Sequence, residues 1–248
     1  MAPAPTTAAG SDAADHGPAR PWHVCVVPFV VFLAAGIVEP VPSGGGLAGS
    51  LGIPYAAYPA VYALRLAATI AALAWCRRPL AAWLGRPTWW PPLLGLALVV
   101  PWVALAALQR QAGWATFLGE RSAFDPFTAL GTDPTTAWGF LALRFLGLVV
   151  VVPIVEELFL RGFVMRYVVN EEFWRVPFGL LVPASAAACA GYAVLTHPAE
   201  AVAAVGWFAV VSGIAAATRK PIDAIFAHAA TNLALGLFVV TTGAWWLW

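Results

Sequence analysis

The stretch Pro153-Ile154-Val155-Glu156-Glu157-Leu158-Phe159-Leu160-Arg161-Gly162 places two adjacent carboxylates and an arginine at the end of an unbroken apolar run, Leu146 to Val152. Charges inside a bilayer cost several kcal/mol unless they are paired or line a wet cavity, so ionisable groups in such a segment are functional candidates. On a helix, Glu157 and Arg161 are four apart and share a face. The carboxylate lies N-terminal to the cation, the better order for an ion pair. Glu156 lies about 100° round the helix from Glu157, so the arginine cannot neutralise both equally. This suggests a division of labour in which one glutamate is a structural partner and the other stays available for proton chemistry.

The rest of the composition fits a polytopic membrane protein. The chain is 61% apolar and only 10% charged, against about 45–50% and 25% in soluble domains. Thirteen tryptophans suit a chain with many membrane–water interfaces, where the indole ring is favoured. A net charge of +1 gives no reason to expect nucleic acid as a partner. Cys25, Cys76 and Cys189 are far apart in apolar sequence and read as small buried hydrophobes, with no CxxC pair for zinc or redox work.

Residues 1 to 20 are Ala, Pro, Gly and Asp in irregular order and read as a disordered tail; no basic start stands close before an apolar core, as a signal peptide would need. Residues 21 to 248 read as one membrane domain, an all-α polytopic helical bundle. Its spans are Trp22 to Val38, Tyr58 to Trp75, Leu93 to Leu108 with a kink expected at Pro101, a segment from Trp138 to Val169, Phe178 to Thr196, Ala201 to Ala217 and Ile222 to Thr242. That makes about seven transmembrane helices, or eight if residues 138 to 169 divide. At about 1.5 Å per residue that segment is too long for one perpendicular span, so a break or tilt is expected near Pro153. Glu39 to Pro54 and the polar stretch Gln109 to Thr136, with Glu120, Arg121, Asp125 and Asp133, connect spans. No internal repeat is visible.

The remaining candidates for chemistry lie in the second half. His228 and Asn232 are four apart on one face of the run Ile225 to Val240; their bland alternative is a helix–helix hydrogen-bond pair. His197 precedes Pro198 at the end of the fifth span, where the bland alternative is an interfacial loop histidine. His16 and His23 read as bland, and Arg65 and Arg144 as snorkelling or paired with a neighbouring span. Glu156, Glu157, His197, His228 and Asn232 make up nearly all the ionisable and amide content of the membrane's second half. Burying each singly would be costly, so one shared polar cavity is the economical arrangement. There a glutamate could activate water, an asparagine could donate to a developing oxyanion, and two histidines with a glutamate could also hold a catalytic zinc. Base, histidine and oxyanion donor add up to hydrolysis of a peptide bond in or near the bilayer. A strict seven-span topology puts His197 near the outer edge and His228 about two turns from the inner one. Either the fifth and sixth segments meet below the surface, or the span boundaries shift by a turn or two.

The ordered set Glu156-Glu157-x-x-x-Arg161, His197, His228-x-x-x-Asn232 resembles the CAAX protease and bacteriocin-processing family of intramembrane endopeptidases. The first and last motifs fit fully. In the middle motif, Phe-x-x-x-His, Ala193 stands at the aromatic position, with Tyr192 one residue earlier. The resemblance covers residues 140 to 243, the catalytic core it implies. It implies Glu156 as the water-activating base, Glu157 and Arg161 as positioning and electrostatic support, His197 and His228 as catalytic or metal-coordinating groups, and Asn232 as oxyanion donor. Both a divalent-metal mechanism, such as zinc, and a metal-free one belong to the implied range. A narrower likeness, through Gly131-Thr132-Asp133-Pro134, Arg161 to Phe178, His197-Pro198 and Thr242 to Trp248, is to CAAX-protease-related proteins encoded with bacterial exosortase and PEP-CTERM sorting systems. It implies a bacterial inner-membrane protein acting on a membrane-tethered peptide or protein, in partnership with a protein-sorting machinery. The alternative function is a non-proteolytic scaffold, chaperone or transporter using the same cavity. A transporter would more naturally show two related halves with broken helices, and none are visible.

Lys and Arg set the expected orientation. With the N-terminus in the cytoplasm, Arg20, Arg77, Arg78, Arg86, Arg161, Arg166, Arg175, Arg219 and Lys220 fall inside, and Arg110 and Arg121 outside. Reporter fusions after Arg78 and after Trp248 are therefore expected to report cytoplasm and exterior respectively. A cytoplasmic signal after Trp248 would mean an even number of spans.

Overall fold

The computed structural model describes residues 21–113, 123–131 and 134–248; among them the chain is 79% helical and has no strand. The tail read at residues 1 to 20, with His16 and Arg20, and Glu120, Arg121, Thr132 and Asp133 lie outside the described residues. The principal helices are α1 (Trp22–Gly36), α2 (Tyr58–Trp75), α3 (Trp90–Gln111), α4 (Pro134–Tyr167), α5 (Pro183–Thr196), α6 (Ala201–Thr218) and α7 (Pro221–Thr242). Prolines at the first turn start α2, α3, α5 and α7, where a missing N–H costs nothing. Gly243, at φ 69°, ends α7. Arg219, at φ 57°, ends α6 and returns its Nε to Ala216 O at 3.0 Å.

The all-helical, multi-pass class holds, but the expected seven or eight spans are not all met. Five helices, α2, α3, α4, α6 and α7, are long and apolar enough to cross a membrane by length and composition. The segment expected from Trp22 to Val38 is the shorter apolar helix α1. The one expected from Phe178 to Thr196 keeps only 14 helical residues in α5. At about 1.5 Å per residue, α5 is roughly 21 Å long, against about 30 Å of hydrocarbon. Such a helix is too short to cross on its own, so the strict seven-span topology that set His197 and His228 at different depths is not met.

Of the break or tilt expected near Pro153, no break occurs. α4 runs through all 34 of its residues, widening into π turns at Leu146–Val151 and Leu160–Val164. A proline ring in an α-helix clashes with the carbonyl four residues back; the π turn directly before Pro153 opens the space. In α3 the kink expected at Pro101 shows as a one-residue interruption at Leu98, beside the Ala97 carbonyl that Pro101 cannot serve.

α3 lies along α7, α1 along α2, and α5 along α6, with α4 between α1 and α7. Outward side chains such as Leu64, Val100 and Leu195, each more than 70% exposed, suit a lipid-facing surface. The cysteines are buried, and Arg65 pairs with Glu39 at 2.9 Å. The α3–α7 contact is tight: a Cβ on Gly95 would stand 2.1 Å from Ala227 O. Replacing Gly95 with alanine is therefore expected to force the two backbones apart and lower Tm by about 5 °C. Gly206→Ala, with nothing within 4 Å of its new methyl group, should leave Tm unchanged or slightly raised. Equal Tm for the two variants would show that α3 and α7 are not close-packed.

Candidate active site

α4 brings Glu157 inward to face α7 and α6. Its Oε2 accepts from Arg161 Nη1, one turn on, and its Oε1 lies 3.0 Å from His228 Nδ1. Arg161 gives its Nη2 to Phe208 O on α6 at 3.0 Å. Glu157 and Arg161 are each exposed by no more than 2%. The cation and carboxylate thus neutralise each other in the core while tying α4 to α6 and α7.

Glu156 is placed differently. It faces a cavity of about 210 Å³ whose wall also includes His197, His228, Asn232, Trp102 and Trp207. Its Oε2 has no hydrogen-bond partner and lies 4.0 Å from His228 Nε2. That gap is too long for a direct hydrogen bond, but one water can reach both atoms. The Glu157 carboxylate on Nδ1 selects the tautomer of neutral His228 that carries its proton there, leaving Nε2 as an acceptor toward the cavity.

α7 carries His228 and Asn232 one turn apart, and both reach the cavity wall. Trp207 holds the His228 ring edge-on, with centroids 4.6 Å apart. Its indole N–H donates to Thr231 Oγ1 at 3.0 Å, and Thr231 in turn donates to Gly95 O at 2.7 Å. Asn232 Nδ2 donates to Leu148 O on α4 at 2.8 Å. His197 enters from the end of α5. Thr196 gives its only hydroxyl proton to Tyr192 O, so its Oγ1, 2.8 Å from His197 Nδ1, accepts from the ring. Trp102 and Phe208 flank that ring at 5.6 and 5.5 Å.

The structure therefore brings Glu156, His197, His228 and Asn232 to one cavity, with Glu157 and Arg161 directly behind it. At the Phe-x-x-x-His position, Ala193 is fully buried. Tyr192 supplies the aromatic packing instead, against Phe208, Phe29 and Phe159 at 5.7, 6.1 and 6.2 Å. Sequence reasoning missed Trp102, Trp207, Thr231 and the Leu148 carbonyl. Arg144 is paired with a neighbouring span, as expected, donating to Tyr58 OH on α2, and it also lines the cavity.

The donor set does not fit a three-residue metal centre. Both Glu157 oxygens are committed, and among the described residues no three His, Cys, Asp or Glu side chains gather closely enough to hold a metal ion.

Residues 138–234 match the family model described as Rce1-like, type II CAAX prenyl endopeptidase. Every candidate site residue falls within that segment. The match supports the resemblance to the CAAX protease and bacteriocin-processing family across the candidate site, over less than half of the chain. No curated protein and no solved structure gives a significant match.

The burial of the Arg161–Glu157 pair generates a stability prediction. Arg161→Met strands a carboxylate in the core and should cost about 3–5 kcal/mol, read as a lower Tm or a lower yield in membranes. Combining it with Glu157→Gln removes both charges and should recover part of that loss. A double variant no better than Arg161→Met alone would mean that the pair does not carry the stability of this region.

Proposed function

We propose that the protein is an intramembrane endopeptidase in a bacterial inner membrane, with its N-terminus in the cytoplasm. In this reading it hydrolyses a peptide bond in a membrane-tethered peptide or protein through water activated by Glu156. The observation that carries the reading is the asymmetry of the two glutamates. Glu157 has both oxygens engaged, by Arg161 and His228, while the Oε2 of Glu156 is unpartnered at the cavity wall.

The mechanism follows from these positions. A water between Glu156 and His228 Nε2 gives its proton to Glu156 as it attacks the scissile carbonyl, in a cavity whose apolar walls exclude competing solvent. The oxyanion that develops is met by an N–H of Asn232, and oriented donors of this kind are usually among the largest contributions to such reactions. Protonated Glu156 then returns its proton to the leaving amine. His228 is held by Glu157 and Trp207, so its Nε2 stays aimed at the water. His197, which lines the same cavity, serves as a second polar group for the substrate or the attacking water. The family description, CAAX prenyl endopeptidase, supports peptide hydrolysis at a membrane. The narrower sequence likeness supports a substrate handled by a protein-sorting machinery.

The test is cleavage of a lipid-tethered, internally quenched peptide by the purified protein in detergent. Glu156→Gln keeps shape and hydrogen-bonding capacity but cannot take a proton. It is expected to lower kcat by about 10³-fold or more, consistent with loss of a general base and its water, with Tm unchanged. Cleavage by Glu156→Gln at the unsubstituted rate would remove the base from the mechanism. A protein that binds the peptide without cleaving it would leave a scaffold.

A further inference from the structure

The Asn232 amide is held by a carbonyl that its own helix cannot satisfy. Leu146–Val151 forms a π turn, in which each N–H reaches five residues back; at its C-terminal edge the Val152 N–H donates to Gly147 O. The same pattern one residue on would require Pro153 to donate to Leu148 O, and proline has no N–H. The missing donor comes from α7, as Asn232 Nδ2 reaches Leu148 O at 2.8 Å. A backbone carbonyl in apolar surroundings needs a partner, and Leu148, partly buried at the cavity wall, takes it from Asn232.

A primary amide has two N–H donors and one acceptor in a single plane. Fixing one N–H on Leu148 O fixes that plane. The second N–H and Oδ1 are then left in defined directions on a side chain that lines the cavity beside Leu148. Pro153 itself is buried on the same helical turn as Glu156 and takes no part in proton transfer.

We infer that Pro153 is a positioning residue: by withholding its N–H, it reserves the Leu148 carbonyl to orient the Asn232 amide in the cavity. The widened turn thus becomes part of the site, joining the α4 segment that carries Glu156 and Glu157 to the α7 segment that carries His228 and Asn232. The consequence for turnover rests on the hydrolase reading above, whereas the hydrogen bond and its dependence on Pro153 stand without it.

The experiment is a double-mutant cycle on the full chain in detergent, with Pro153→Ala, Asn232→Ala and their combination, reading Tm and cleavage of the same quenched peptide. Pro153→Ala gives the turn a backbone donor, so Tm should hold or rise while kcat falls by about tenfold or more and KM stays within about twofold, because the amide loses its fixed orientation. A merely structural proline would leave kcat unchanged. Asn232→Ala should lower Tm by about 3 °C when Pro153 is present and by much less in the Pro153→Ala background. Asn232→Leu gives a reading that does not depend on how Pro153→Ala folds. It keeps the approximate shape without any donor, so it should lose the hydrogen bond as Asn232→Ala does and lower Tm. Equal Tm losses for Asn232→Ala in both backgrounds, an undiminished Tm in Asn232→Leu, or an unchanged kcat in Pro153→Ala would each overturn the inference. If the unsubstituted protein cleaves nothing, the hydrolase reading fails and the Tm cycle still decides the coupling.

Discussion

A single carboxylate, Glu157, sits in the core between a guanidinium on its own helix and an imidazole on another. Each of these groups would be costly to bury alone, and together they satisfy one another. Arg161 also reaches the backbone of α6 through Phe208 O, so the charge that needs neutralising also fixes the mutual placement of α4, α6 and α7. The neighbouring Glu156, turned about 100° away by the helical period, falls outside this arrangement and into the cavity. The division between a held carboxylate and an available one is thus a geometric result of placing two glutamates side by side on a helix with one cation four residues on.

α4 carries this arrangement because it does not break. Its 34 residues keep their hydrogen-bonded path past Pro153 by widening into π turns. The widening leaves the Leu148 carbonyl to Asn232. The end of α5 places His197 at the cavity. A helix of 14 residues is too short to cross the hydrocarbon, and the imidazole at its end lines the same cavity as Glu156. The aromatic side chains around the two histidines, Trp102, Trp207 and Phe208, pack on the rings, the two tryptophans edge-on and Phe208 tilted.

Much of the site was legible in the sequence because charged and amide residues in apolar segments are few and must converge. Glu156, Glu157, Arg161, His197, His228 and Asn232 could be named from that constraint and from the motif order. Span counting was less secure. Hydropathy marks an apolar segment but not how many of its residues are helical, so Phe178 to Thr196 read as a full span while its first residues form turns. A break or tilt is expected near Pro153 because residues 138 to 169 are too long for one perpendicular span. The π turn that carries the helix past the proline leaves no compositional mark. The Leu148 carbonyl was illegible for a different reason: it is backbone, and only the placement of Asn232 against it reveals its use. Trp207 and Thr231 look like ordinary membrane residues until the indole N–H and the hydroxyl are seen to link α6, α7 and α3.

The central claim is that Glu156, and not Glu157, supplies the base. Chemical rescue tests it most directly. Glu156→Ala and Glu157→Ala each remove a carboxylate, and added formate can enter a hole that opens on the cavity but cannot rebuild an anchor closed between Arg161 and His228. The measurement is peptide cleavage by both variants in detergent against increasing formate. The account predicts saturable recovery of turnover in Glu156→Ala and none in Glu157→Ala; recovery confined to Glu157→Ala would contradict it.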